Sequence, residues 1–140
     1  MINDNLTLTG ALTIAVNDEV VQETHNLVVT AGKNWVADRM NNANTVMSHM
    51  ALGTGTTAAA AGNTTLVTEL DRNALTSTTV TGNAIEYAAT WAAGDSTGAI
   101  TESGIFDASS AGDMLARTVF SVVNKGANDS MTITWTITVS

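Results

Sequence analysis

Met131-Thr132-Ile133-Thr134-Trp135-Thr136-Ile137-Thr138-Val139-Ser140 alternates without a break. Met131, Ile133, Trp135, Ile137 and Val139 fall on one parity, and Thr132, Thr134, Thr136 and Thr138 on the other. A period of two is the period of a β-strand, because successive Cβ atoms leave opposite faces of the pleat. Ile, Val and Thr have a stiff χ1 that suits a pleated surface better than a helical turn. The stretch therefore predicts a long strand with one face on a core and a threonine face outside.

The same pattern recurs upstream. Leu6, Leu8, Leu12, Ile14 and Val16 share a parity, with Gly10 as an expected bend or bulge. Asn17-Asp18 is a turn pair, since both residues tolerate the left-handed region. Glu19 to Thr30 then reads as one return strand. From Ala31 to Asn42 the period becomes helical, with Trp35, Val36 and Met40 on one side, Thr30 as N-cap and Asn41-Asn42 as the stop. Further strands are expected at Val46–Leu52, Leu66–Arg72, Leu75–Val80, Ala84–Trp91, Ile100–Phe106 and Met114–Val123. Thr81-Gly82-Asn83 signals a hairpin between two of them. Ile85, Tyr87, Ala89 and Trp91 share a face, as do Ile100, Glu102, Gly104 and Phe106, and as do Leu115, Arg117 and Val119. Eight or nine short strands and one helix near residues 31–42 predict an all-β, antiparallel sandwich of jelly-roll type. At 140 residues the chain is expected to form a single domain, residues 1–140, with an extended arm at residues 1–5.

Composition limits the function. The chain carries 5 Lys and Arg against 13 Asp and Glu, a net charge of −8. The cations Lys33, Arg39, Arg72, Arg117 and Lys125 are scattered. Neither nucleic acid nor an anionic membrane is expected as a partner, because both need a basic patch. No apolar run reaches the ~20 residues of a bilayer span. No signal peptide is read at the N-terminus, so the protein is expected to work without secretion. Cysteine is absent, which excludes disulfides and thiolate metal sites.

Chemistry-bearing motifs are sparse. His25 and His49 lack metal-ligand spacing. Gly53-Thr54-Gly55-Thr56-Thr57 opens a small-residue loop to Asn63, without the Lys of a phosphate-binding loop. That loop reads as an exposed contact surface. Asp107 and Asp113 flank a loop that lacks the dense ligands of a calcium site. No metal, cofactor or catalytic residue is expected, and the chain does not read as an enzyme. Glu102 stands on an otherwise apolar face. Arg117 can pair with it across a neighbouring strand, fixing register; the alternative is that Arg72 and Arg117 are both exposed.

Three segments carry a resemblance: Met50–Thr57 with Leu66 and Glu69-Leu70-Asp71-Arg72; Gly98–Asp107, containing Ile100-Thr101-Glu102-Ser103-Gly104-Ile105-Phe106; and Gly112–Phe120, with Lys125 and the Trp135 strand. Together they resemble small structural proteins of tailed bacteriophages, of the decoration (cement) or tail-fibre-like kind. The resemblance implies a virion protein made in the host cytoplasm, without catalytic residues. A free-standing chain of this size lacks a fibre's long shaft, so a decoration protein on the outer capsid surface is expected. Its partners would be the major capsid protein lattice and further copies of itself, expected as a trimer. A tail, baseplate or head-fibre component is the alternative, and a carbohydrate-binding jelly-roll module a second one. The docking residues expected are Met1, Ile2, Asn3, Asp4 and Asn5 of the arm, with Gly53, Thr54, Gly55, Thr56 and Thr57 of the loop.

Overall fold

A computed structural model describes residues 5–42 and 45–140. The strands are β1 (Leu8–Val16), β2 (Glu19–His25), β3 (Leu27–Val28), β4 (His49–Gly53), β5 (Glu69–Ala74), β6 (Ser77–Thr81), β7 (Ala84–Trp91), β8 (Gly98–Phe106), β9 (Met114–Lys125) and β10 (Met131–Val139), with one helix, α1 (Thr30–Asn41). They form two antiparallel five-stranded sheets, ordered β2-β1-β10-β7-β6 and β3-β9-β8-β4-β5. The architecture is an all-β sandwich with one short helix.

β10 lies at the centre of the first sheet. Met131, Ile133, Trp135 and Ile137 are buried on its inner face, beside Leu12 and Ile14 of β1 and Tyr87, Ala89 and Trp91 of β7. Trp135 stands between Leu12 and Tyr87 in the ladder. Such a row of large side chains across three strands is where a sheet gains most of its side-chain stabilisation. The second sheet closes the core with Met50, Leu52, Ile100, Ile105, Leu115, Phe120 and Val123.

The turns follow their residues. Asn17 and Asp18 adopt φ of 51° and 65°, the paired positive values of a type I′ hairpin turn. Gly82, with φ of 58°, opens the two-residue turn between β6 and β7.

Several expectations need correction. Glu19–Thr30 is two strands in different sheets: β2 pairs β1, and after Asn26 the chain crosses to pair β3 with β9. Gly10 is not a bulge, since pairing runs regularly through it to Ile137. A Cβ there would strike the Asn26 side chain, so the glycine makes room for the crossing. The irregularity in β1 lies between Ile14 and Ala15, opposite Val21. Val29, not Thr30, is the N-cap of α1, and Met40 is 85% exposed rather than turned inward. Only Gly32 of the helix is fully buried, its backbone pressed on that of Leu115, while Trp35 and Val36 pack at the core margin.

The parity read for β8 and β9 holds only in part: Glu102, Gly104 and Phe106 share a face, as do Arg117 and Val119, but Ile100 and Leu115 turn the other way. Register shifts fall between Ile100 and Glu102 and between Ile105 and Phe106. The first turns β8 over at Thr101, and the second turns β9 over at Leu115, which has no opposite residue in β8. Ile100 and Leu115 therefore join the central core, whereas Phe106 and Met114 join a second apolar cluster with Val29, Ala51 and Leu66. Glu102 and Arg117 stand on that second, outer face.

Candidate functional site

The outer face of the second sheet is covered by the segment between β4 and β5, and a buried ion pair holds it there. Arg117 Nη2 donates to Glu102 Oε2 at 2.7 Å, with both side chains fully buried. The same nitrogen donates to Thr57 O at 2.8 Å, and Nη1 to Asn63 Oδ1 at 3.0 Å. Glu102 in turn accepts the backbone N–H groups of Thr68 at 2.8 Å and Val67 at 3.2 Å. Thr101 Oγ1 donates to Gly55 O at 2.8 Å. The pair thus grips both ends of the segment, and Thr30 N–H, donating to Ala61 O at 2.8 Å, joins its tip to α1. Arg117 Nε alone lacks a partner.

Glycine is needed for this closeness. A Cβ on Gly55 would lie 2.5 Å from Glu102 Oε2, and one on Gly53 would lie 2.5 Å from Oε1. Leu66 fills the space beside the pair, over Gly104 and Phe106. Desolvating two charges costs several kcal/mol, which only close geometry and extra hydrogen bonds offset. Four protein groups besides the partner supply those bonds here.

Two more cations act as staples. Arg72 makes two hydrogen bonds with Glu69, at 2.7 and 3.2 Å, stacks 3.7 Å over the Phe106 ring and donates to Ala108 O and Ala111 O. It ties β5 to the Asp107–Asp113 loop. Lys125, 1% exposed, donates to Ala92 O at 2.9 Å. Among the described residues, cations face solvent only on α1, as Lys33 and Arg39. Two carboxyls gain from fixed donors. Asn73, beside Asp71 and Ser96, holds the Asp95 carboxyl below the usual aspartate range. The Asn17 side chain and the Gly126 N–H do the same for Asp129. Burial pushes the Tyr87 phenol up to about 12, against the opposing pull of Arg39.

The expected docking residues divide. Met1, Ile2, Asn3 and Asp4 lie outside the described residues; Asn5 and Leu6 are exposed. Gly53 and Gly55 are buried under Glu102, leaving Thr54, Thr56 and Thr57 outward. The outer face of the first sheet, by contrast, is uncovered. A shallow depression of about 570 Å³ lies there, with Ala11, Thr13, Thr134 and Thr136 as floor and Glu23, His25 and Glu86 at its sides. No Phe, Tyr or Trp side chain lines it. His49 bonds only locally, Nδ1 to Ser48 Oγ at 2.7 Å. Among the described residues no three His, Asp or Glu side chains gather where a metal ion would sit.

No protein-family model, curated protein or solved structure matches this chain.

The sequence signal for the clamp was one glutamate among apolar neighbours. Nothing local marked its other partners, because Thr57, Asn63, Val67 and Thr68 lie 34 to 60 residues from the side chains that bind them.

Proposed function

We propose that this chain is a structural protein of a tailed-phage particle, in the first instance a capsid decoration protein that binds and reinforces the outer shell. One observation carries the proposal. The three segments that resemble phage structural proteins meet in one unit. Gly53 and Gly55 from the first segment press on Glu102 from the second, which pairs with Arg117 from the third. Arg72 from the first, held by Glu69, stacks over Phe106 of the second and braces the loop leading into the third. Every residue at these meeting points bears on rigidity and none is arranged to react. The resembling segments thus build a scaffold, which suits a protein whose work is mechanical.

A decoration protein must grip several shell subunits. Copies grouped in threes at a lattice junction do this with one repeated interface, and simultaneous contacts multiply weak ones. The segment Met1–Asn5 is the proposed shell contact, with Thr54, Thr56 and Thr57 beside it in role. Thr7 and Ser140 exchange backbone hydrogen bonds of 2.6 and 2.9 Å, so the β1–β10 ladder closes after the arm. Removing Met1–Asn5 should leave the fold intact.

The test is co-sedimentation of fluorescently labelled protein with undecorated shells and, separately, with purified tails. Binding to shells, raised heat tolerance of the decorated particles, and weaker binding on deletion of residues 1–5 are expected. Binding to tails alone moves the protein to the tail or baseplate. Full decoration by the truncated protein rejects the arm.

A further inference from the structure

Four strand edges are available in the two sheets, and three are protected. β2 bears Glu19 and Glu23, has a one-residue offset at Val21, and is tied to β9 where Gln22 bonds both the N–H and C=O of Ser121. β3 has only two residues and runs into α1. β5 carries Glu69, Asp71 and Arg72, and its pairing with β4 is offset between Leu52 and Gly53. Charges, offsets and shortness are the devices by which sheets avoid unwanted strand addition.

β6 has none of them. Ser77-Thr78-Thr79-Val80-Thr81 is uncharged, lacks proline and pairs regularly with β7. Every residue is exposed, Val80 by 68%, so the strand overhangs the opposing sheet. Its free backbone groups can be identified. Val139 N–H donates to Asn83 O at 2.9 Å, which directs the odd-numbered residues of β7 to β10 and the even-numbered ones to β6. On β6 this engages Ser77, Thr79 and Thr81, and leaves Thr78 and Val80 with N–H and C=O pointing outward.

We infer that β6 is the edge through which two copies of this chain pair, antiparallel about a two-fold axis at Thr79, joining their first sheets into one. Thr78 of each copy then exchanges backbone bonds with Val80 of the other, and the two Thr79 side chains meet at the axis. A second copy is the fitting occupant because the edge is self-complementary under this rotation. It is also where two chains of charge −8 approach with least repulsion. The nearest charge on that face is Glu86, one strand in. Across the junction the two Glu86 residues stand three strand spacings apart, about 14 Å, beyond the Debye length of about 8 Å at physiological salt. The contact is small, so it acts at high local concentration, as on a crowded surface. It does not depend on the virion assignment. On a shell it would link neighbouring clusters.

Sedimentation equilibrium of the full chain, up to about 1 mM, tests the pairing. The average mass should rise from 14.4 kDa toward twice that value. In the paired state the amides of Thr78 and Val80 should exchange more slowly as concentration increases. Val80→Pro removes only an outward N–H and leaves the β6–β7 ladder intact; it should weaken association by about tenfold or more. Thr78→Lys should act likewise, and serves if the proline variant loses its β circular-dichroism spectrum. A constant 14.4 kDa, or association untouched by either variant, overturns the inference. A three-copy mass indifferent to both variants also overturns it, while leaving the shell-binding assay to judge the virion assignment.

Discussion

The two sheets have similar strands but opposite outer faces. The outside of the first carries threonines and alanines from β1, β7 and β10, open to solvent; Thr132 and Thr90 even pair their hydroxyls across strands at 3.0 Å. The outside of the second is buried under Gly53–Thr68, with a full positive and a full negative charge beneath. On the open face each side chain interacts mainly with water and its nearest neighbours. On the covered face both charged side chains draw their partners from elsewhere in the chain, Arg117 Nε excepted. A single substitution should therefore be tolerated on the first and propagate on the second.

The largest effect should come from Arg117→Met. Removing one member of a buried, hydrogen-bonded pair leaves the other charge unpaired and costs about 3–5 kcal/mol. Denaturant melts measure it, and amides of residues 57–68 should lose exchange protection first. Replacing Glu102 as well should not restore stability, because the N–H groups of Val67 and Thr68 would lose their acceptor. Full recovery in the double variant would mean the covering segment is held by packing alone.

Trp135→Ala deletes one of the two buried tryptophans on the inner face of the open sheet and should cost about 3–5 kcal/mol, the range for a buried aromatic. A loss below about 1 kcal/mol would put that face outside the core. Gly55→Ala, a single methyl on the covered side, should cost about 1–3 kcal/mol by forcing Glu102 away from its partners.

Titration sharpens the comparison from both ends of the pH scale. Tyr87 is the sole tyrosine, so tyrosinate absorbance should report its rise near pH 12 rather than 10. A raised folded value means that its contribution to stability is whole below pH 10 and lost as pH climbs toward 12. For Asp95 and Asp129 the sign reverses. Their folded values are lowered, so their contribution is whole above about 3.8 and lost as pH falls through the lowered values. The smallest effect belongs to Thr134→Ala on the open face, expected within about 0.5 kcal/mol. If it matches Gly55→Ala in cost, the two outer faces do not differ as described.

The sequence by itself determined the strands whose two faces meet different surroundings. β1, β7 and β10 alternate because one side meets the core and the other meets water, and period-two hydropathy records that difference directly. It also determined the turns at Asn17-Asp18 and at Gly82, where positive φ selects particular residues. Only the tertiary structure decided what happens in the second sheet. There both faces are buried, so alternation no longer separates inside from outside, and the register shifts at Thr101 in β8 and Leu115 in β9 reverse parity without a local signal. The split of Glu19–Thr30 between sheets depends on Asn26 crossing over Gly10, a contact between distant strands. Whether an arginine is a surface charge or a buried clamp is settled by partners up to 60 residues away, and no local pattern can show them.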